Sequence, residues 1–284
     1  MRLIPLLRVK PFSIILITAL SLLFKLPASA QCVPLLNGFA HNDYWHKHPL
    51  FDALNNGYTN VEADVYLHKG QLVVTHLFPV INHHRTLEKL YLKPLYDYVN
   101  QNDGKVYQGY DNPVTLMIDI KSDANKTYAA LKPLLEKYRS LLSGYKDGRL
   151  VMRPVRVVLS GHKPYDMLKG DKDRLAFIDE DLRKITRDTS DKQNMFSMAS
   201  CKYSKLLKWK GTGMLSTQEK QKLCAYVRMA HHCGAKVRLW ASPDNKIVWR
   251  QLLQCGVDLI NTDNLVRLRN FLTADQVSYT VVAN

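Results

Sequence analysis

The segments FAHNDY (39–44), NVEADVYL (60–67) and QLVVTH (71–76) decide the fold and the candidate site. Glu62 and Asp64 lie two positions apart in an apolar, β-branched run that predicts a strand. Because successive side chains of a strand point to opposite faces, these two carboxylates share one face, where they repel each other unless a cation lies between them. Mg²⁺ and Ca²⁺ prefer oxygen ligands of this kind. The stretch therefore predicts a site for one divalent cation.

A histidine ends the apolar sequence on either side of the carboxylate pair, at His41 and at His76. Two histidines that flank a metal site can supply a base and an acid for one displacement. The alternative is a half-buried strand whose carboxylates face solvent, with two ordinary loop histidines. Other predicted strands of the chain are apolar on both faces, so carboxylates on the second face of this strand require a specific reason.

Residues 1–30 have the pattern of a secretory signal peptide. Basic residues precede the apolar run SIILITALSLLF (13–24), and small residues at 28–30 permit cleavage before Gln31. The apolar run is too short for a comfortable membrane span, which leaves a short N-terminal anchor as the alternative interpretation. We therefore expect a secreted or periplasmic protein whose folded domain is 31–284.

The formal net charge of +15 indicates an anionic partner, such as a phosphodiester small molecule or a phospholipid surface. The positive charges are scattered, with no block of five or six, so we expect no nucleic acid partner. One segment, CKYSKLLKWK (201–210), interleaves four lysines with apolar residues. It predicts either peripheral contact with an anionic membrane or a helix at the barrel edge with a solvated face.

Short β-rich runs alternate with helical patterns along the whole chain. The predicted barrel strands are 35–41, 60–67, 114–121, 155–160, 175–179, 194–200, 236–241 and 257–262, with a short added strand at 71–76. The predicted helices are 50–56, 86–102, 126–142, 180–187, 217–233, 246–254 and 264–272. This alternation and length predict an α/β fold, a single-domain (β/α)₈ TIM barrel.

Local signals refine the helix ends and the thiols. Thr86 and Thr217 are candidate N-caps, and Gly234 and Gly256 follow helix ends where a left-handed residue is needed. The five cysteines are odd in number and contain no CxxC motif, which excludes a zinc ribbon. Export permits a disulfide, but the sequence does not reveal a pairing, and buried free thiols are expected for most of the cysteines.

In a TIM barrel the chemistry lies at the carboxyl ends of the strands. Asp119 and Lys121 lie two apart on the third strand, and His162 follows the fourth. Trp240 ends the seventh strand, and Asp263 follows the eighth, where it is expected to cap the last helix or brace a loop. The polar residues are thus predicted to converge on one mouth of the barrel.

The order of these motifs resembles the PLC-like phosphodiesterase superfamily. That superfamily includes glycerophosphodiester phosphodiesterases, phosphoinositide-specific phospholipases C and spider-venom sphingomyelinase D. The resemblance covers about residues 37–122 and 236–263, and AHNDY with LFDALNNGYTNVEADVYL is most similar to a bacterial and fungal branch. It implies a metal-dependent phosphodiesterase that acts on glycerophosphodiesters or phospholipid headgroups, with one Mg²⁺ or Ca²⁺.

The resemblance also implies roles for individual residues. The catalytic histidines fall on His41 and His76, and the metal ligands fall on Glu62, Asp64, Asp119 and Asn42. The His-Asn pair matches the phospholipases C, whereas glycerophosphodiesterases have His-Arg-Gly; loss of that arginine removes a phosphate clamp. Asp119-x-Lys121 and Trp240 are similar to the venom enzymes.

Three residues are candidates for substrate binding, each with a structural alternative. Lys121 would offset the phosphate charge, or it would only neutralise Asp119. Trp240 would form a wall of the site, or it would fill the core. His162 would reach the substrate from its strand end, or it would have a structural role. Two other functions stay open: a lyase-like member that releases a cyclic phosphate, and a non-catalytic phospholipid-binding barrel.

Overall fold

The computed structural model describes residues 32–77, 82–186 and 195–282, and the side chains only as far as 274. The predicted signal peptide lies outside these residues. Eleven strands are described: β1 (Gly38–Ala40), β2 (Asn60–His68), β3 (Gln71–Val74), β4 (Val114–Ile120), β5 (Gly144–Lys146), β6 (Arg149–Val151), β7 (Val155–Gly161), β8 (Ala176–Asp181), β9 (Phe196–Lys202), β10 (Lys236–Trp240) and β11 (Leu259–Thr262).

Eight of these strands form a closed parallel barrel. The strand order is β1-β11-β10-β9-β8-β7-β4-β2, and β1 pairs again with β2 through Ala40 and Val61, which closes the ring. β3 adds an antiparallel hairpin to the end of β2. The structure therefore confirms the α/β TIM barrel and the added strand. It also contains the small antiparallel pair β5–β6, which the sequence patterns did not predict.

Helices cover the outside of the barrel. The described helices are α1 (Phe51–Asn55), α2 (Lys93–Gln101), α3 (Ala124–Lys137), α4 (Tyr165–Gly170), α5 (Tyr203–Leu206), α6 (Thr217–His232), α7 (Lys246–Gln254) and α8 (Leu265–Val282). A π-helical turn, Glu88–Leu92, leads into α2, and short 3₁₀ turns span Asp43–Trp45 and Leu182–Lys184. No helix in the described part of the chain is both long enough and apolar enough to cross a bilayer.

The predicted helix at 180–187 is wrong. β8 continues through Asp181, where Glu180 and Asp181 stay in register with β9. The Asp181 carboxylate then accepts a hydrogen bond from the backbone N–H of Arg183, which starts only a 3₁₀ turn. Residue 187 itself lies outside the described residues. The charged residues at the end of β8 form a sequence pattern that resembles the first turn of a helix.

Two helix ends were predicted correctly and one cap was displaced by one residue. Gly234 and Gly256 have φ of 73° and 86°, the left-handed conformation expected after α6 and α7. The N-cap of α6 is Ser216 rather than Thr217, because the Ser216 hydroxyl accepts from the backbone N–H of Glu219. Thr86 also accepts through its hydroxyl, from the N–H of Lys89.

The barrel interior is filled by apolar side chains below the polar mouth. The cluster combines residues from six barrel strands and from β5: Phe39, Met117, Tyr145, Val158, Phe177, Met198 and Leu259. All of them are at least nine-tenths buried. Burial of side chains of this size contributes roughly 1.5–3 kcal/mol each, which holds the strand ends of the mouth in fixed positions.

A disulfide joins Cys224 of α6 to Cys255, the residue after α7. Cys201 and Cys233 have buried free thiols, so the expectation of buried free thiols holds for two of the five cysteines rather than for most of them. The disulfide ties together two helices that follow one another around the barrel wall. The sequence could not reveal this pairing, since it depends on how neighbouring βα units pack.

Candidate active site

Three carboxylates meet at the mouth of the barrel. Glu62 and Asp64 lie on β2 and Asp119 lies on β4, with Asp64 and Asp119 in direct register across the two strands. One oxygen atom from each residue lies within 4.8 Å of the others. Glu62 and Asp64 are only 3% and 2% exposed. The two-residue spacing therefore places both β2 carboxylates inside the barrel, while Val61, Ala63 and Val65 of the same strand are also buried.

These three carboxylates fit a hard divalent cation. Glu62 Oε2 and Asp119 Oδ1 are buried and have no hydrogen-bond partner among the described residues. A buried carboxylate oxygen without a donor is costly, which a bound cation would relieve. Gly161 leaves the space for this arrangement, because a Cβ atom there would lie 2.1 Å from Asp119 Oδ1. Burial raises the pKa of Glu62, although Arg238 and His41 oppose that change.

His41 lies next to two carboxylates, Asp263 and Glu62. Its Nδ1 lies 2.7 Å from Asp263 Oδ1, and its Nε2 lies 3.8 Å from Glu62 Oε2. Burial lowers the pKa of His41, but the hydrogen bond to Asp263 and the charge of Glu62 outweigh burial and raise it overall. Asp263 thus orients the imidazole, whereas the cap of α8 is Asn264, whose side chain accepts from the N–H of Arg267. Of the two roles expected for Asp263, the structure shows bracing of the loop that carries His41 and Asn42 rather than capping of the last helix.

Tyr44 connects the second histidine to the carboxylates. Its hydroxyl lies 2.8 Å from Asp64 Oδ2, 2.7 Å from Asn42 Oδ1 and 3.3 Å from His76 Nδ1. His76 Nδ1 also lies 2.7 Å from Asp64 Oδ2. Burial, together with the charge of Asp64, raises the pKa of Tyr44, so the phenol stays protonated and donates. Asp64 Oδ2 is therefore fully engaged, which leaves Oδ1 for another ligand.

Tyr44→Phe is expected to weaken divalent-cation binding several-fold and to lower kcat/KM by about tenfold, because one charge-assisted hydrogen bond to Asp64 is lost. Titration with Mn²⁺ and steady-state kinetics measure the two effects. Tyr98→Phe is the matched control, because Tyr98 lies on α2, where its ring packs against Phe51 rather than against the carboxylates. Unchanged cation affinity in Tyr44→Phe would contradict a positioning role for this hydroxyl.

A buried arginine lies between two carboxylates on the inner side of the site. Arg238 of β10 is 3% exposed, with Nη1 3.5 Å from Glu62 and Nη2 3.7 Å from Asp179 of β8. Its guanidinium carbon also lies 4.4 Å from the centre of the Phe39 ring. The charge of Arg238 offsets part of the acidic cluster. Arg238 was not predicted as a site residue, since KVRLW only indicates a strand with charged residues at positions 236 and 238.

The three residues predicted to bind substrate lie in different surroundings. Lys121 Nζ lies 2.6 Å from Asp119 Oδ2 and 3.4 Å from Asp64 Oδ2, and nearby carboxylates raise its pKa against the effect of burial. Trp240 is 39% exposed and lines the mouth, so it is not core filling. His162 lies outside the cavity lining and its Nδ1 pairs with the backbone oxygen of Ser122, which is the structural alternative.

Asn42 has a left-handed backbone conformation (φ 49°) and a buried side chain. Its Oδ1 lies 2.7 Å from the Tyr44 hydroxyl, which has one proton to donate and also lies 2.8 Å from Asp64 Oδ2, and its amide nitrogen lies 2.9 Å from His41 Nδ1. In this arrangement Asn42 supports both His41 and Tyr44. A role as a metal ligand would require its Oδ1 to exchange the Tyr44 hydroxyl for the cation.

The mouth forms a cavity of about 450 Å³, the size range of small-molecule sites. His41, His76, Glu62 and Asp119 lie on its wall with residues from the ends of β7, β8, β9 and β10. The segment 201–210 passes beside it as α5, with Tyr203, Leu206, Leu207 and Trp209 all buried. Its apolar side chains therefore pack inward, and its four lysines and Ser204 are exposed.

Behind the histidine loop, Asp43 is fully buried. Its Oδ2 accepts from the backbone N–H of Leu50 (2.5 Å) and from the Tyr91 hydroxyl (2.9 Å), whereas Oδ1 has no partner among the described residues. Burial raises the pKa of this carboxyl from 3.8 to about 6. The folded protein consequently binds this proton more tightly than the unfolded chain does.

This difference predicts a pH dependence of stability. The stabilising contribution of protonated Asp43 is fully present below about pH 4 and is lost as the pH rises through about 6. One pKa unit corresponds to about 1.4 kcal/mol, so the wild type should lose up to about 3 kcal/mol more than Asp43→Asn between pH 4 and 7. Urea unfolding at several pH values measures this, and parallel curves for the two proteins would contradict it.

Comparisons with known proteins place the chain in a family. Residues 28–179, more than half of the chain, match the AIM6-like phosphodiesterase domain. This chain belongs to that family. Residues 236–265 also match the glycerophosphoryl diester phosphodiesterase family, over β10 and β11. The two matches thus include the elements that carry His41, the three carboxylates, Arg238 and Asp263.

Curated relatives in the AIM6-like family are fungal. Altered inheritance of mitochondria protein 6 of Lachancea thermotolerans is 32% identical over 292 residues, covering 86% of this chain and 67% of that protein. The proteins of the same name from Eremothecium gossypii and Saccharomyces cerevisiae are each 31% identical, covering 84% of this chain and 70% and 74% of those proteins. Family membership gives a phosphodiesterase-like domain on a TIM barrel.

Proposed function

We propose that this protein is an exported, metal-dependent phosphodiesterase that cleaves glycerophosphodiesters or phospholipid headgroups with His41 and His76 as its acid and base. The observation that carries the proposal is the meeting of three carboxylates within 4.8 Å, with both histidines on the wall of the same cavity. A divalent cation bound there would supply Lewis-acid stabilisation of a phosphate oxygen. Glu62, Asp64 and Asp119 would hold it.

The protein's own groups account for proton transfer and charge. Asp263 holds Nδ1 of His41, so Nε2 is the nitrogen that takes the proton from the attacking hydroxyl. His76 is held at Nδ1 by Asp64, which leaves its Nε2 to protonate the leaving oxygen. Lys121, next to Asp119, offsets negative charge on the phosphate. Each histidine is thus oriented by a carboxylate at Nδ1, and one acts as the base while the other acts as the acid.

A substrate screen with residues 31–284 tests this function. Glycerophosphodiesters and bis(p-nitrophenyl) phosphate are incubated with Mg²⁺, with Ca²⁺ and with EDTA. We expect turnover with one of the cations, none with EDTA, and recovery when the cation is restored. Binding of phospholipid headgroups without any turnover would instead support the non-catalytic barrel.

Phosphorus NMR distinguishes the two enzymatic outcomes. Direct hydrolysis yields a phosphomonoester, whereas attack by a neighbouring substrate hydroxyl yields a cyclic phosphate. Tethering of the nucleophile lowers the entropic barrier, so a substrate with a neighbouring hydroxyl is expected to react faster by the second route. Export is tested separately, by N-terminal sequencing of the mature protein, which should begin at Gln31.

A further inference from the structure

The wall of the cavity opposite the carboxylate cluster is basic. Lysines and arginines from the ends of β7, β8, β9 and from α5 line this side: Lys163, Arg183, Lys202 and Lys205. The acidic side chains of the same wall are Asp179 and Asp181. One side of the cavity therefore carries mainly carboxylates, and the other side carries mainly lysine and arginine side chains.

Both acidic side chains on the basic wall already lie next to an arginine. Asp181 binds Arg183 through two hydrogen bonds, Nε to Oδ1 at 3.0 Å and Nη2 to Oδ2 at 2.6 Å. Asp179 is buried, accepts from Ser160 and faces Arg238 at 3.7 Å. Asp181 is thus already paired, whereas Asp179 keeps one oxygen, Oδ1, without a hydrogen-bond partner among the described residues, and the charge of Lys163 acts to lower the pKa of Asp179 against the effect of burial.

Three lysines on this wall make no direct ion pair with a carboxylate, although the charge of Lys163 also acts on the buried Asp179. Within the described ranges, no carboxylate lies within ion-pair distance of the Nζ atoms of Lys163, Lys202 or Lys205. Lys163 Nζ donates only to the backbone oxygen of Asp179. Lys202 Nζ lies 5.6 Å from the centre of the Trp240 ring. Unpaired cations that share one concave wall focus a positive potential and attract anions.

The same wall disfavours a cationic substituent. An exposed tryptophan at a site mouth could bind a quaternary ammonium group through its ring face. Here Lys202 already lies over the Trp240 ring, and Lys163 and Lys205 are on the same wall. A choline-like group placed there would meet three like charges, so the charge pattern excludes it in favour of an anion.

We propose that Lys163, Lys202 and Lys205 form a second anion subsite, and that the substrate is a phosphodiester whose far substituent carries its own negative charge, such as a phosphomonoester. This inference rests on the proposed phosphodiesterase function. The carboxylate side of the cavity takes the scissile phosphate with its cation, and the lysine side binds the second anionic group. A volume of about 450 Å³ accommodates both groups.

The kinetic test compares substrates that differ in one charged group. Glycerophosphoinositol, glycerophosphoinositol 4-phosphate and glycerophosphocholine are cleaved by the wild type and by Lys202→Gln/Lys205→Gln. We expect the wild type to prefer the 4-phosphate and to act least on the choline compound. The ratio of kcat/KM for the 4-phosphate over glycerophosphoinositol should fall by about tenfold in the double variant, since two partly screened ion pairs are lost.

Lys208→Gln/Lys210→Gln is the matched control, because these lysines are exposed on the same segment but do not line the cavity. The control should retain the wild-type ratio. Equal rates on all three substrates, or a ratio that does not change in Lys202→Gln/Lys205→Gln, would overturn the subsite.

A binding measurement separates this inference from the proposed function. Titration of metal-free protein in EDTA with inositol 1,4-bisphosphate needs no catalysis. We expect binding to the wild type and the control, and about tenfold weaker binding to Lys202→Gln/Lys205→Gln. Binding with no hydrolysis of any phosphodiester would support the subsite and contradict the enzyme. Hydrolysis with no lysine-dependent binding would do the reverse.

Discussion

His41→Asn and His76→Asn are each expected to lower kcat/KM by about 10²–10⁴-fold, the range that a positioned acid or base contributes. Asparagine retains a polar side chain of similar reach but cannot exchange a proton near neutral pH. The loss should appear in kcat, because the carboxylates that bind the cation remain in place. Steady-state kinetics on the best substrate of the screen, with the cation at saturation, measure it.

The supporting carboxylate gives a graded version of the same test. Asp263→Asn retains His41 but weakens the support at its Nδ1, which lies 2.7 Å from Asp263. Its effect should therefore be smaller than that of His41→Asn, and the double variant should be no slower than His41→Asn alone, since the two residues act as one unit. His232→Asn, on the exposed end of α6, is the histidine control. Additive effects of His41 and Asp263 would contradict the pairing.

The sequence predicted the barrel because local patterns determine each of its strands. NVEADVYL and VTLMIDIK have too many β-branched and apolar residues for any surface element, and parallel strands that are covered by helices require such runs. The positions of the three site carboxylates could be predicted from the sequence for a related reason. Glu62, Asp64 and Asp119 interrupt apolar strands at positions that point into the barrel, where a charge requires compensation.

The missed site residues act through contacts between distant parts of the chain. Asp263 reaches His41 across the closure of β1 on β11, 222 positions apart in sequence. Arg238 meets Glu62 across the barrel interior, and no spacing rule connects these two positions. Tyr44 belongs to the AHNDY motif, but its contact with the carboxylate cluster depends on a turn that directs the hydroxyl back to Asp64. Such pairings become visible only when the ring of strands is closed.

The lysines of 201–210 show how much the role of a segment depends on the direction of its side chains. Alternation of lysine with Tyr203, Leu206 and Trp209 indicated either a membrane-surface face or a barrel-edge helix. In the structure these apolar side chains are at least nine-tenths buried, and Lys202 and Lys205 line the cavity. The same residues that suggested a lipid surface thus support an anion-binding wall. The structure shows the barrel-edge helix with a solvated face, whereas contact with an anionic membrane stays a prediction. The direction of each side chain could not be predicted, because a four-residue helix has too weak a periodicity to reveal it.

Glu62→Gln is expected to abolish tight binding of the divalent cation and to reduce kcat/KM by at least about 10³-fold, since it removes one of three charged ligands and the stabilisation that the cation gives to the phosphate. Calorimetric titration with Mg²⁺, Ca²⁺ and Mn²⁺ measures binding directly. Thermal unfolding gives a second readout, because a cation at 100 times its Kd should stabilise the wild type by about 2.7 kcal/mol.

The thermal experiment distinguishes a lost ligand from a damaged fold. Without the cation, Glu62→Gln replaces a carboxylate whose charge burial disfavours more than Arg238 and His41 favour it, so the variant should be at least as stable as the wild type. With the cation, the wild type should gain stability and the variant should not. Glu136→Gln on the outer face of α3 is the matched control and should show the full gain. An equal gain in Glu62→Gln would mean that the ion binds elsewhere, and the carboxylate cluster would then lose its place in the mechanism.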